Sequence, residues 1–177
     1  MIKLLSFDLQ GTLSDVRYSN YFWLEYLAPL KDSFKKIGPY DRRYYDDSLY
    51  TDDLATIMKH HTPKLDEIFL SFIESIQVTK IILSTTTHRF IDLELGERKN
   101  IFDGCYSSLD DFGIAGKTPK VYKKVAGLFK VKPEEILHIG DHPEMDILHA
   151  QEAGCQVLHY TGNTEETLFN IKHLMEV

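Results

Sequence analysis

The chain has 177 residues, of which 43% are hydrophobic, and it carries a formal net charge of −7. This length suits one domain, or one domain with a small insertion, and a chain of this size buries enough surface to fold without disulfides. The negative charge argues against a nucleic-acid backbone as the main partner. No apolar run approaches the roughly 20 residues that a membrane-spanning helix requires, so no membrane partner is expected.

Two features of the sequence favour a reducing environment. The only two cysteines, Cys105 and Cys155, each lie in or beside an apolar run, which favours free thiols over a disulfide. The segment before Asp8 is too short for a signal peptide. We therefore expect a soluble cytoplasmic protein, whose oligomeric state the sequence leaves unknown.

Apolar runs predict buried strands, and amphipathic stretches between them predict helices. The first strand spans residues 2–7 and ends at Asp8. Four further strands are predicted at residues 80–83, 104–107, 136–139 and 156–160, and four helices at residues 88–95, 119–129, 143–153 and 164–175. We expect Leu128 to face the core, and Thr164 to cap the last helix. This alternation predicts an α/β fold with a Rossmann-like three-layer α/β/α arrangement around a parallel sheet.

Residues 14–78 interrupt this alternation directly after the first strand, and they contain no convincing strand. Helical periodicity instead predicts helices at residues 21–30, 51–60 and 63–76. In the last of these, one apolar face is predicted from Leu65, Ile68, Phe69, Phe72 and Ile76. We therefore divide the chain into a core of residues 1–13 and 79–177 and an all-helical insertion of residues 14–78.

The middle of the insertion leaves two alternatives open. Aromatic and basic side chains cluster there, at Tyr40, Arg42, Arg43, Tyr44 and Tyr45. They suit contacts with an anionic or aromatic part of a substrate, and they equally suit a solvated polar loop.

Residues with catalytic potential follow the predicted strands where those strands end. They are Asp8 after the first strand, Ser84 and Thr85 after the second, Lys117 before the 119–129 helix, and Asp141 with Asp146 after the fourth strand. Because ligands of open α/β sheets bind at the carboxyl ends of the strands, we expect these groups to converge there. Gly11 lets the backbone turn sharply behind Asp8.

In this order the motifs resemble those of the haloacid dehalogenase (HAD) superfamily of hydrolases, over residues 1–13 and 79–177. Residues 8–12 resemble the first motif of that family, Ser84 the second, Lys117 the third, and Asp141 with Asp146 the fourth. Lys120 is the alternative candidate for the third motif. The resemblance implies that residues 14–78 form the small helical cap that this family places after its first motif.

The resemblance also implies Mg²⁺-dependent transfer of a phosphoryl group from a small phosphorylated metabolite to Asp8, through an aspartyl-phosphate. The implied catalytic residues are Asp8, Gln10, Thr12, Ser84 and Lys117, and the implied substrate contacts are Ser84, Thr85 and Lys117. The implied metal site comprises Asp8, the backbone carbonyl of Gln10 and Asp141, with Asp146 orienting those ligands or a metal-bound water.

Gln10 departs from the pattern of phosphatases in this superfamily, which place a second aspartate two residues after the nucleophile. That aspartate protonates the leaving oxygen and later activates water, whereas a carboxamide transfers no proton at neutral pH. General acid–base catalysis is typically worth ~10²–10⁴-fold. We therefore expect a bias toward substrates with good leaving groups.

Three alternatives follow from this departure. The first is a phosphatase that is slow or selective for good leaving groups, or one that uses His142 or a group of the insertion as a substitute acid. The second is a phosphotransferase or an inactive homologue that binds phosphate ligands. The third is a 2-haloacid dehalogenase, which needs no leaving-group acid; such enzymes do without magnesium, so the complete acidic fourth motif argues against this alternative.

Overall fold

The computed structural model describes residues 1–15, 38–45 and 64–175, so the helices predicted at residues 21–30 and 51–60 lie outside the described residues. Within these ranges the chain forms a five-stranded parallel sheet. The strands are β1 (Leu4–Phe7), β2 (Thr79–Ser84), β3 (Gly104–Ser107), β4 (Ile136–Gly140) and β5 (Gln156–His159). Their order is β3-β2-β1-β4-β5, which places β1 at the centre, between β2 and β4.

Helices connect and flank the strands. The α-helices are α1 (Glu67–Ser75), α2 (His88–Leu95), α3 (Pro119–Phe129), α4 (His149–Glu152) and α5 (Thr164–Met175). A π-helical segment, Pro143–Leu148, runs directly into α4, and short 3₁₀ segments cover Arg42–Tyr45, Gly96–Ile101 and Pro133–Glu135. The bounds of α2, α3 and α5 match the helices predicted from periodicity.

Two apolar clusters cover the two faces of the sheet. Alternate residues of β1 point to opposite sides, so Leu5 and Phe7 join one cluster and Leu4 joins the other. The first cluster includes residues of α1, α2 and α5, and the second includes residues of α3 and α4. Helices therefore cover both faces, and the predicted three-layer α/β/α arrangement is confirmed.

The buried face of α1 differs from the prediction at one position. Ile68 is 65% exposed, whereas Phe69, Leu70 and Ile73 are buried against the sheet. The helix begins only at Glu67, because the side chain of Asp66 accepts the backbone N–H of Phe69 at 2.9 Å and caps it there. The packing of α1 against the sheet links part of residues 14–78 to the core; the division between core and insertion stays a prediction.

Two further local predictions were wrong. Leu128 is 52% exposed, because the buried stripe of α3 is completed by the small Ala126 instead. At the start of α5 the Asn163 side chain accepts the backbone N–H of Glu166 at 3.2 Å, while the Thr164 hydroxyl donates to Asp66. The cap of α5 is therefore Asn163.

Both cysteines are free thiols, as the sequence predicts. Among the helices of residues 1–15, 38–45 and 64–175, none has the length and apolarity needed to cross a bilayer.

Truncation of Phe69 tests the orientation of α1. The ring is fully buried and makes an edge contact with Phe7 at 5.8 Å between ring centroids. We expect Phe69→Ala to lower the free energy of unfolding by about 3–5 kcal/mol, as for other buried aromatic truncations. Ile68→Ala, its exposed neighbour, should change it by less than about 1 kcal/mol. Urea denaturation of both variants measures the difference, and equal losses would contradict this orientation.

Candidate active site

Asp8 lies at the carboxyl end of the central strand, where a tight turn begins. Its backbone N–H donates to the carbonyl of Ile139 at 2.8 Å, which ties it to β4. The carbonyl of Leu9 then accepts the N–H groups of the three residues 12–14, which folds the chain back over the sheet edge. Gly11 has φ +90°, and a Cβ there would lie 2.7 Å from Asp141 Oδ1. Only glycine therefore allows this turn to approach the second acidic loop.

Lys117 brings the sheet-edge loops together. Its side chain is 2% exposed, and Nζ lies 2.5 Å from Asp8 Oδ1 and in contact with Asp146 Oδ1. Nζ also donates to the carbonyl of Leu83, at the end of β2, at 3.3 Å. Lys120, the alternative candidate, is exposed on α3. The structure therefore places Lys117, and not Lys120, beside Asp8.

The position of Lys117 is itself fixed from outside the site. The ring Nδ1 of His149, on α4, donates to the backbone carbonyl of Lys117 at 2.8 Å. Burial acts to lower the pKa of Lys117, but the two adjacent carboxylates outweigh this effect and raise it above its usual value. The group therefore remains an ammonium at neutral pH.

Asp146, in the π-helical segment, is held by three donors that lie outside that segment. Its Oδ1 accepts from Lys117 and lies 3.1 Å from His138 Nε2, and its Oδ2 accepts the backbone N–H of His142 at 2.9 Å. Burial acts to raise the pKa of Asp146, but Lys117 and His138 outweigh this effect and lower it below its usual value. The side chain packs so closely over Gly140 that a Cβ there would clash with it.

His138 is a buried residue of β4 whose ring hydrogen-bonds to Asp146. Because a carboxylate only accepts hydrogen bonds, Nε2 carries the proton and Nδ1 accepts from the Ser6 hydroxyl at 3.0 Å. Burial lowers the pKa of His138, so the ring is neutral. The ring of Tyr122 packs against it edge-on, with centroids 5.0 Å apart, and excludes water.

Among the residues that the structure describes, three carboxylates share this site with one ammonium. Oxygen atoms of Asp8, Asp141 and Asp146 lie within 4.8 Å of one another. The Thr12 hydroxyl donates to Asp141 Oδ1 at 3.3 Å and orients it. Counted in their ionised forms, these described groups carry a formal charge of −2. Burial raises the pKa of Asp8 well above its usual value, Asp146 and Asp141 add to this effect, and Lys117 opposes it.

The donor set fits a small divalent cation such as Mg²⁺, which prefers carboxylate and carbonyl oxygens. Within the described ranges no residue hydrogen-bonds to the backbone carbonyl of Gln10, so that oxygen is available as a further metal ligand. Asp146 differs from Asp8 and Asp141, because both its oxygens already accept hydrogen bonds from protein groups. Asp146 therefore suits an orienting role better than direct ligation.

The side chain of Gln10 turns toward a buried carboxyl group. Its Nε2 donates to Oε1 of Glu94, on α2, and the Ser14 hydroxyl donates to Oε2 of Glu94 at 3.1 Å. Burial raises the pKa of Glu94 to about 7, with the two hydrogen bonds opposing the rise.

Ser84 is the last residue of β2, and Thr85 follows it at the same sheet edge. The Ser84 hydroxyl accepts the backbone N–H of Thr86 at 3.3 Å, which leaves its own proton free for donation to a ligand. Ser84 is buried and Thr85 is half-buried. Within the described part of the chain, neither makes a hydrogen bond to Asp8.

The segment of residues 38–45 packs against the loop that carries Lys117. The ring of Tyr40 lies where a Cβ on Gly116 would otherwise be, and its centroid is 5.8 Å from that of His149. Burial and a hydrogen bond to Glu144 raise the pKa of Tyr40 to about 12. Arg43 is exposed and pairs with Asp41 at 2.6 Å. Arg42 is also exposed.

His142, proposed from the sequence as a substitute acid, caps the π-helical segment. Its Nδ1 accepts the backbone N–H groups of Glu144 and Met145 at 3.2 and 3.1 Å. The imidazole is exposed, and this capping role occupies the one ring nitrogen that can act as an acceptor in the neutral form.

Two buried polar residues next to the site were not identified from the sequence. His138 lies in an apolar strand and Glu94 lies on the apolar face of α2, between Ile91 and Leu95. A polar residue at a core position was the available signal in both cases, because a buried polar group needs partners.

The chain matches the family model for haloacid dehalogenase-like hydrolases over residues 2–154. No curated protein matches it. Among solved structures it is similar to a HAD phosphatase from Thermococcus onnurineus, with 17% identity, 98% of each chain covered and a TM-score of 0.71. It is also similar to a HAD family enzyme from Bacteroides thetaiotaomicron in complex with magnesium and inorganic phosphate, with 17% identity, 92% of this chain and 96% of that chain covered and a TM-score of 0.62.

A third similar structure is the 2-haloacid dehalogenase from Pseudomonas syringae pv. Tomato, with 22% identity, 92% of this chain and 89% of that chain covered and a TM-score of 0.57. At these identities the solved structures establish the fold alone. The family model covers most of the chain, and the chain belongs to the haloacid dehalogenase-like hydrolases.

Proposed function

We propose that this hydrolase is a Mg²⁺-dependent phosphatase of small phosphorylated metabolites, with Asp8 as its nucleophile. The observation that supports this proposal most strongly is the charge arrangement at the sheet edge. A buried ammonium contacts Asp8 and Asp146, while three carboxylates lie within 4.8 Å of one another. An anionic nucleophile can approach an anionic phosphate only where nearby positive charge offsets the repulsion between them.

The proposed reaction has two steps. In the first, a carboxylate oxygen of Asp8 bonds to phosphorus while the bond from phosphorus to the leaving oxygen breaks, giving an aspartyl-phosphate and an alkoxide or phenoxide that takes a proton from solvent water. In the second, water attacks phosphorus and loses a proton to solvent, the bond from phosphorus to Asp8 breaks, and inorganic phosphate leaves with Asp8 restored as a carboxylate. Lys117 offsets negative charge on Asp8 and the phosphoryl group in both steps, and Ser84 donates to a phosphoryl oxygen.

A bound Mg²⁺ would offset the remaining charge and align the phosphoryl group with the nucleophile. Asp8, Asp141 and the Gln10 carbonyl would hold it. Thr12 and Asp146 would orient those ligands, since Thr12 donates to Asp141 and Asp146 faces Lys117 and His138.

A cavity of about 730 Å³ lies beside the turn that follows Asp8, and Asp8, Ser84, Lys117 and Asp141 do not line it. Gly11 and Thr12 contribute to its wall, and Lys64, Asp66 and Tyr160 line it further out. We propose this cavity as the place for the leaving group.

The dehalogenase alternative rests on one observation, the carboxamide of Gln10. Displacement of a halide needs no acid at the leaving group, so Gln10 fits that reaction. A formal charge of −2 in the site favours the metal-dependent reaction instead, because those dehalogenases do without magnesium.

Substrates with different leaving groups test the phosphatase proposal. We expect Mg²⁺-dependent hydrolysis of aryl phosphates to exceed that of alkyl phosphates by at least about a hundredfold in kcat/KM, because Gln10 supplies no proton to an alkoxide. Phosphate release in matched assays with and without EDTA measures this. A rapid acid quench should trap phosphate on Asp8, and Asp8→Asn is the control.

No turnover together with no acid-stable label on Asp8 would reject the phosphatase. A label without release of phosphate would support the phosphotransferase. Release of halide from a 2-haloacid without added metal would support the dehalogenase.

Lys117→Ala and Lys120→Ala form a matched pair. We expect Lys117→Ala to lower kcat on an aryl phosphate by about a hundredfold or more, since it removes the positive charge beside the nucleophile. Lys120→Ala, at an exposed site on α3, should leave kcat within about twofold of the unsubstituted protein. Circular dichroism confirms that each variant is folded at the assay temperature. Equal kcat values for the two variants would show that Lys117 has no part in the reaction.

A further inference from the structure

Glu94 is a buried acidic residue that the proposed reaction does not use. It lies on the apolar face of α2 and is 5% exposed, with Ile91 and Leu95 beside it on the same face. A carboxyl group in such a place needs hydrogen-bond donors for both oxygens. Gln10 supplies one and Ser14 the other.

Both donors belong to the turn that follows the nucleophile. The backbone N–H of Gly11 donates to the carbonyl of Ser14 at 2.9 Å, and the Ser14 hydroxyl also lies 3.3 Å from the carbonyl of Leu9. Glu94 therefore links the two ends of this turn through side chains, in addition to its backbone hydrogen bonds.

The contact with Glu94 fixes the orientation of the Gln10 carboxamide. Nε2 of the carboxamide is the atom that faces Glu94 Oε1, and it donates to that oxygen. One amide N–H is thereby engaged, and the Oε1 acceptor of Gln10 and the second N–H remain. Gln10 is consequently held in one orientation, and its carboxamide supplies no transferable proton to a leaving oxygen.

We propose that Glu94 is a positioning residue for the reaction at Asp8: it holds Gln10 in one orientation, and its carboxyl group excludes a second carboxylate at position 10. This inference rests on the proposed phosphatase function for its catalytic part. An aspartate at position 10 would bring two acidic side chains together in a buried place, where like charges repel strongly. The amide at position 10 and the acid at position 94 are therefore a matched pair.

Variants of Glu94 test the positioning role. Glu94→Ala frees the carboxamide of Gln10, and we expect kcat on an aryl phosphate to fall about tenfold, with KM within about twofold. Glu94→Gln keeps an acceptor oxygen for the Gln10 amide and should restore kcat to within about threefold of the unsubstituted protein. Glu97→Ala, at the exposed start of the following 3₁₀ segment, is the control that should leave kcat unchanged.

Steady-state kinetics on these variants decide the catalytic part. Unchanged kcat in Glu94→Ala, or an equal loss in Glu94→Ala and Glu94→Gln, would overturn the positioning role.

A double-mutant cycle tests the matched pair without any activity assay. The four proteins are the unsubstituted chain, Gln10→Asp, Glu94→Gln and the double variant, each followed by thermal unfolding at pH 8. We expect Gln10→Asp to lower the melting temperature by about 5 °C more beside Glu94 than beside a glutamine at 94. Equal shifts in the two backgrounds would overturn the pair.

The two readouts separate failure of this inference from failure of the proposed function. A coupled melting temperature in a protein that hydrolyses no phosphate ester would support the pair and reject the phosphatase. Turnover with additive melting temperatures would support the phosphatase and reject the pair. If Glu94→Ala does not fold, Glu94→Gln and the cycle still decide the matter.

Discussion

One buried ammonium group connects the parts of this site. Lys117 Nζ contacts Asp8, which follows β1, and Asp146, which follows β4, and it donates to the carbonyl at the end of β2. Without it, two buried carboxylates would face each other unpaired, an arrangement that typically costs about 3–5 kcal/mol. Lys117 is therefore a structural link across the sheet edge, and it would supply the positive charge that the proposed phosphoryl transfer requires.

A second layer of residues keeps this ion pair in place. His138 and Ser6, on adjacent central strands, form a hydrogen-bonded chain that ends on Asp146, and His149 holds the backbone of Lys117. Close approach of the acidic loops depends on Gly11 and on Gly140, where side chains would meet Asp141 and Asp146. On the other side of Asp8, Glu94 holds the following turn. The acidic site is thus supported by residues of β1 and β4 and by Glu94 on α2.

Much of the fold and of the location of the site could be predicted from the sequence, because hydrophobic periodicity indicates which face of an element is buried. The helices of residues 88–95, 119–129 and 164–175 and the strand-end positions of Asp8 and Asp141 follow from it, whereas Lys117 was identified from the family resemblance. Hydrophobic periodicity does not indicate contacts between segments that are far apart in the sequence. Glu94 and His138 find their partners 84 and 132 residues away, at Gln10 and Ser6. Ile68 and Leu128 fit an apolar stripe but are exposed, since neighbouring residues already fill the available core.

The central claim is that the carboxylates of Asp8 and Asp141 bind one divalent cation next to the nucleophilic oxygen of Asp8. A crystal structure of the protein with Mg²⁺ and beryllium fluoride tests it most directly. We expect beryllium bonded to an oxygen of Asp8, and Mg²⁺ about 2.0–2.1 Å from oxygens of Asp8, Asp141 and the Gln10 backbone. Beryllium fluoride and Mg²⁺ bound elsewhere, or absent from the site at saturating concentrations, would contradict it.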